Sequence, residues 1–158
     1  MKDTIIVHHE AGNNGFNSVN EYHRRKWNSK STLGYFIGYQ YYIDKDGKLY
    51  KGRSEAEQGI HAKGWNNRSI GICLMGNFMN EEPKPAQLNT LNRLIKQIKV
   101  ERVIKNVYGH RQVGSTLCPG DNLFKHLKKY NSRIESMRAQ LEMIRKLILK
   151  LLRFKKYL

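Results

Sequence analysis

The sequence predicts an α/β domain followed by a basic amphipathic helix. Short runs of β-branched and apolar residues, at 4–8, 38–43, 69–75 and 103–108, have the length and composition of strands. Between them, residues 18–27 and 85–103 repeat apolar side chains at helical steps. The third observation is the charge. The chain carries a net +16, and residues 123–158 hold eleven Lys or Arg against Glu135 and Glu142, a net +9. More than half of the excess therefore lies in the last quarter, which divides the chain into a domain at 1–130 and a basic helix at 131–158.

At 158 residues the chain suits one domain with a real core and a short appendage. A hydrophobic content of 39% with 27% charged residues is globular and excludes a disordered chain. No run of eighteen apolar residues occurs, so no membrane-spanning helix is expected. Two cysteines do not make a disulfide framework. Cys73, inside an apolar run, reads as a small buried residue. A Cys73–Cys118 bridge is the lesser alternative. The basic balance favours polyanionic partners: nucleic acid, anionic lipid, lipopolysaccharide or acidic wall polymers.

Taken in order, residues 4–8 form a central strand that delivers His8 and His9 at its C-terminal end. Side chains alternate along a strand, so only one of the two faces a given site. Ser18 and Glu21 have the spacing of a capping box for a helix through Val19, Tyr22, His23 and Trp27. His23, among basic neighbours, reads as a surface residue. Residues 38–43 read as a strand with Tyr39 and Tyr41 on one face and Gln40 and Tyr42 on the other, turning at Asp44–Gly47 into a partner strand. Residues 52–67 are a long Gly- and Asn-containing segment of the kind that forms binding walls. Residues 69–75 form a strand buried on both faces. Pro85 suits the first turn of a helix to about Val103, and 103–108 is the strand that delivers His110. Asp121 starts a short helix ending near Lys129.

A second capping box, Ser132 to Glu135, then opens the last helix. Ile134, Met137, Leu141, Ile144, Ile148 and Leu151 recur at steps of three and four, with Arg133, Arg138, Arg145, Lys146, Lys150 and Arg153 between them. Such a helix, run to Tyr157, fits an anionic membrane surface, a partner helix, or packing back on its own domain. The breadth of its apolar face favours the first. No motif for specific nucleic-acid recognition accompanies the charge.

The chemistry converges on two stretches. His110 and Cys118 stand eight positions apart in a Gly-rich loop after an apolar run, and His8 and His9 end the first strand. Two His and one Cys leave a fourth position open on a zinc ion, the pattern of a catalytic site. From spacing alone, His110 as a loop histidine and Cys118 as a small buried residue fit equally well.

Four segments decide between them. Ile6-Val-His-His9, Ile37-Gly-Tyr-Gln-Tyr-Tyr42, residues 59–71 (GIHAKGWNNRSIG) and residues 109–120 (GHRQVGSTLCPG) resemble, in order, the zinc-dependent N-acetylmuramoyl-L-alanine amidases of type 2. That family includes peptidoglycan recognition proteins and short phage lysins. The likeness spans about residues 4–128 and leaves out the C-terminal helix. It implies a mixed central β-sheet flanked by helices, with a zinc cleft on one face. It implies hydrolysis of the amide between N-acetylmuramic acid and L-alanine. His8, His110 and Cys118 match the zinc ligands, with His8 preferred to His9. Tyr39 matches the catalytic tyrosine, and Thr116 stands where relatives carry lysine or threonine. His61 matches a cleft histidine that holds substrate, and Trp65, Asn66 and Arg68 are candidates for the groove wall. Arg111 is a candidate substitute for the missing lysine, and Glu10 a weak candidate base. Receptor-type relatives without catalysis typically lack the cysteine, so Cys118 favours an enzyme.

The resulting expectation is a peptidoglycan hydrolase of the endolysin type. Its partner is peptidoglycan, and its basic helix contacts anionic lipid or lipopolysaccharide. The rivals are a non-catalytic peptidoglycan-binding module and a cationic membrane-binding protein. Residues 4–7 are too short for a signal-peptide core. The expected route is therefore synthesis in the cytoplasm and release to the cell wall, in the periplasm, through a holin pore.

Overall fold

The computed structural model describes residues 2–154. The side chains of Leu151 and Arg153 and the expected helix end at Tyr157 lie outside the described residues. Backbone contacts divide the chain into two compact units, 1–125 and 126–158.

Five strands form one mixed sheet. β1 is Thr4–His9, β2 Tyr41–Ile43, β3 Leu49–Lys51, β4 Ser69–Leu74 and β5 Asn106–Gly109. Their spatial order is β3-β2-β4-β1-β5; β3 runs antiparallel to β2 and every other pairing is parallel. β1 and β4 are buried at every position, because interior parallel strands are covered on both faces. Register partners share a face of a parallel pair, so His8, Cys73 and Tyr42 stand on one side of the sheet. Val7, Ile72 and Tyr41 stand on the other.

Helix α1, Phe16–Trp27, covers the face carrying His8. Its Phe16 and Val19 pack with Ile37, Tyr42 and Cys73. The expected Ser18–Glu21 capping box does not form. Gly15, at φ +86°, precedes the helix, and Ser18 lies inside its first turn. Burial of Phe16 draws the start three residues earlier, and Glu21 pairs with Arg24 instead, at 2.7 Å. Helix α2, Pro85–Glu101, buries Leu91, Leu94, Ile95 and Ile98. Its C-cap residue Arg102 pairs with Glu55, which the Tyr41 hydroxyl also reaches, so this helix serves the opposite face. Pro85 occupies the first turn as expected, and the Gln87 side chain accepts the Lys84 amide at 3.1 Å.

Two further expectations are corrected. The alternation along 39–42 breaks, because residues 38–40 are bends and β2 begins only at Tyr41; on the partner side the Gln40 carbonyl accepts both the Gly52 and the Arg53 amides. Two residues opposite one is the pairing of a bulge. Tyr39 and Tyr42 both join the packing around Cys73, while Tyr41 points to Glu55. The second correction concerns the C-terminal region. Residues Asp121–Phe154 form one helix, α3, without a break at Ser132. The Ser132 hydroxyl donates to the Lys129 carbonyl at 3.0 Å instead of capping a new start. No Gly or Pro separates the two segments, and a continuous helix avoids a second set of unpaired terminal groups.

Candidate metal centre

His8 reaches the site from the C-terminal part of β1. His110 follows β5 in a short 3-10 turn, His110–Gln112. The loop from 110 to 118 closes on itself, the Arg111 amide donating to the Cys118 carbonyl at 2.7 Å. This folds Cys118 back beneath β1, where its sulfur accepts the His9 amide at 3.4 Å. One ligand-type atom from each of His8, His110 and Cys118 then lies within 4.8 Å of the others. No other such group of three occurs among the described residues.

The His8–Cys118 pair has the spacing of two ligands of a tetrahedral metal. Zn–N bonds of about 2.0–2.1 Å and a Zn–S bond of about 2.3 Å at tetrahedral angles set N and S about 3.6 Å apart. His8 Nδ1 and Cys118 Sγ stand 3.6 Å apart. The protonation states point the same way. Burial, with His61 and His110 beside it, holds His8 well below the ordinary imidazole range. Burial also lowers His110. Both rings are neutral at pH 7, as ligands must be. Burial pushes the Cys118 thiol up to about 12, against the lowering effect of the His9 amide and Arg111. A bound cation reverses that preference, because coordination deprotonates a thiol outright.

His9 faces away from this group. Its Nδ1 accepts the Phe78 amide at 3.3 Å, as the strand alternation requires. Tyr39 lies across from His8, with ring centroids 5.1 Å apart. Burial and the nearby sulfurs of Cys73 and Cys118 hold its hydroxyl far above the usual phenol range, so it is a proton donor. The Thr116 hydroxyl accepts the Cys118 amide at 3.2 Å, which leaves its own proton free to donate. The Arg111 guanidinium is engaged by Asp121, at 2.6 Å, and by the Leu117 carbonyl, so it braces the loop. Both Glu10 oxygens are in use: Tyr42 donates to one at 2.5 Å and the Asn14 amide to the other at 2.8 Å.

The groove candidates separate. Asn66 Oδ1 accepts the amides of His61 and Ala62, at 2.8 and 2.9 Å, and so shapes the loop that carries His61. Arg68 stacks over Trp65 at 4.7 Å and approaches Asp3 at 3.4 Å. A cavity of ≈ 320 Å³ is walled by His61 together with Trp27, Ile60, Ala62, Lys63, Gly64 and Asn66; Trp65 and Arg68 are not part of it. A second, of ≈ 470 Å³, is lined by Glu10, Asn14, Ser18, Tyr22, His23 and Tyr39. Helix α1 thus supplies walls that the sequence reading did not assign. The signal was present, since Ser18, Val19, Tyr22 and His23 lie on one helical face. His23 is also corrected from surface to buried. It is 4% exposed, and its Nδ1 accepts the Gly38 amide at 2.9 Å.

His8, His110 and Cys118, gathered on the face of a mixed sheet with the neutral Tyr39 across from His8, form a site of the kind that can hold a metal ion. Comparison with known proteins names the family. Residues 2–121 match the Amidase_2 model, described as N-acetylmuramoyl-L-alanine amidase. The chain belongs to this family. It is 32% identical over 140 residues to peptidoglycan-recognition protein SC2 of Drosophila melanogaster, covering 80% of this chain and 73% of that one. It is 33% identical over 119 residues to an N-acetylmuramoyl-L-alanine amidase of Mus musculus, covering 72% of this chain and 21% of that one. Among solved structures, the N-acetylmuramoyl-L-alanine amidase LysC from Clostridium intestinale URNW superposes with a TM-score of 0.73 at 34% identity, covering 83% and 85% of the two chains. The mixed sheet with flanking helices is the fold of this family.

Proposed function

We propose that the chain is a peptidoglycan hydrolase that cleaves the amide between N-acetylmuramic acid and L-alanine, with zinc held by His8, His110 and Cys118. The observation that carries this reading is the convergence of these three ligand atoms within 4.8 Å beside Tyr39. Peptidoglycan as substrate is supported by the names of the recognition proteins and amidases that the chain resembles. When bound, zinc polarises the scissile carbonyl and acidifies a water to a pKa of about 7. The chain's own residues do the rest. Neutral His8 and His110 and the Cys118 thiolate set the charge of the centre near +1. The Tyr39 hydroxyl donates to the carbonyl oxygen as that atom gains charge. The Thr116 hydroxyl offers a second donor without a formal charge. The retained Cys118 favours an enzyme over a silent recognition module.

The test is zinc content together with turnover on purified peptidoglycan, for wild type and Cys118→Ser. One zinc per chain, new L-alanine amino termini and no new reducing sugar ends are expected. Cys118→Ser should lose the metal and at least about 100-fold in turnover, as loss of metal-site integrity implies. A wild type that binds peptidoglycan without zinc or turnover would be a recognition module.

The proposal extends to the C-terminal unit. Met137, Leu141, Ile144, Leu147, Ile148 and Leu152 are each about half exposed or more, beside the Lys and Arg residues of the same helix. No helix among the described residues is long and apolar enough to cross a membrane. A helix that pairs an apolar face with cationic residues lies in the plane of an anionic interface. Contact with anionic lipid or lipopolysaccharide is the reading this composition supports.

A further inference from the structure

His61 lines a cavity of the cleft, but its two ring nitrogens are turned away from it. Its ring lies over β4 at Gly71 and against Gly59. A Cβ at Gly71 would fall 2.6 Å from the ring carbon Cδ2, and one at Gly59 would fall 2.4 Å from the same atom. Both positions must lack a side chain for the ring to lie there. The Nε2 edge faces these two glycines, within 2.7 and 2.8 Å of the same hypothetical atoms, and Nε2 is buried without a hydrogen-bond partner. The other nitrogen, Nδ1, stands 3.0 Å from His8 Nε2. The loop holding the ring is fixed by Asn66, whose Oδ1 accepts the His61 amide and whose carbonyl accepts the Gly59 amide at 3.1 Å. Neither ring nitrogen is therefore available to a ligand in the cleft.

We propose that His61 is a positioning residue that sets the tautomer and ring angle of His8 for metal binding. The inference rests on the zinc reading above. His8 turns Nδ1 toward Cys118, so the lone pair for a metal is on Nδ1 and the proton is on Nε2. That proton has one acceptor in place, His61 Nδ1. A ligand histidine whose second nitrogen donates to a fixed acceptor is held in the ligating tautomer and orientation. The two glycines and Asn66 make that acceptor rigid. His61 thus acts on the reaction through His8, by way of its Nδ1.

The experiment is a zinc competition titration with a chromophoric chelator on the full-length wild type, His61→Leu and His61→Asn. Thermal melts of the metal-free proteins confirm that all three fold. Leu removes the acceptor, whereas the Asn side-chain oxygen stands near the place of Nδ1. His61→Leu should bind zinc about 10- to 100-fold more weakly, and His61→Asn should recover most of that loss. A mutation-free readout accompanies it: ¹⁵N NMR of zinc-loaded wild type should show the His8 proton on Nε2 and an unprotonated Nδ1 on His61. Wild-type zinc affinity in His61→Leu, with a change confined to KM, would overturn the inference and return His61 to the substrate groove. So would a His8 proton on Nδ1. A wild type that binds no zinc would instead overturn the metal reading itself, and so separates the two failures.

Discussion

Tyr39 and His23 show how much a single side chain owes to its surroundings. Nine tyrosines occur in the chain, and the bends at 38–40, ahead of β2, are what set Tyr39 beside His8. In the proposed reaction its hydroxyl donates a hydrogen bond to a carbonyl oxygen that gains charge. Tyr39→Phe should lower kcat about 10²- to 10³-fold, the usual effect of losing one such donor, with little change in melting temperature or zinc content. Steady-state kinetics on a soluble muropeptide would check it. His23 is a buried base. Burial first, then Lys26 and Arg53, lower its pKa from 6.5 to about 4. Between those two values the unfolded chain binds more protons than the folded one, so stability falls as pH drops through that window. Above about pH 6.5 this contribution is constant. His23→Asn keeps an acceptor for the Gly38 amide but does not titrate. Urea unfolding from pH 7 to 4 should therefore show a shallower loss of stability for this variant than for wild type.

At the scale of elements, the connections place the chemistry. Strand β1 brings one candidate ligand, the turn after β5 a second, and the loop returning under β1 the third. That loop depends on Gly120. It has φ +86°, and an added Cβ would fall 2.4 Å from the Phe78 carbonyl carbon. Both the backbone region and the contact exclude a side chain. Gly120→Ala should cost about 1–3 kcal/mol of stability from the backbone conformation alone. It should also weaken zinc binding, since Cys118 lies two residues away. A denaturant melt and the same zinc titration measure the two effects. Helix α3 teaches the opposite lesson. Its Ser132–Glu135 box is a genuine start signal in the sequence, yet the preceding residues never leave the helix. A capping pattern marks a start only where the chain before it has another structure to adopt.

At the scale of the whole molecule, charge and chemistry lie in different parts of the chain. The family match ends at residue 121, whereas a net +9 lies between 123 and 158. Removal of residues 132–158 should leave hydrolysis of purified peptidoglycan within about twofold of wild type and abolish binding to vesicles containing anionic lipid. Binding by the full chain should weaken with salt, because exposed charges are screened within a Debye length of about 8 Å at physiological ionic strength. Vesicle sedimentation at two salt concentrations would measure this. Loss of hydrolysis in the truncated protein would instead make the C-terminal helix part of the catalytic domain.

The sequence by itself determined the strands, the two domain helices, the basic C-terminal segment and the candidate ligands. These follow from local periodicity and from motifs whose residues stand close together. The wall formed by Tyr22 and His23, the face on which Tyr39 lies, the contact of His61 with His8 and the bracing of Arg111 were decided only in the tertiary structure. Each depends on residues distant in the chain: the Gly52 and Arg53 amides that hold the Gln40 carbonyl, a glycine in β4 beneath a ring from the preceding loop, an aspartate at the start of α3. Periodicity records which way a side chain points from its own element. What it meets there is set by the packing of elements that the chain brings together from elsewhere.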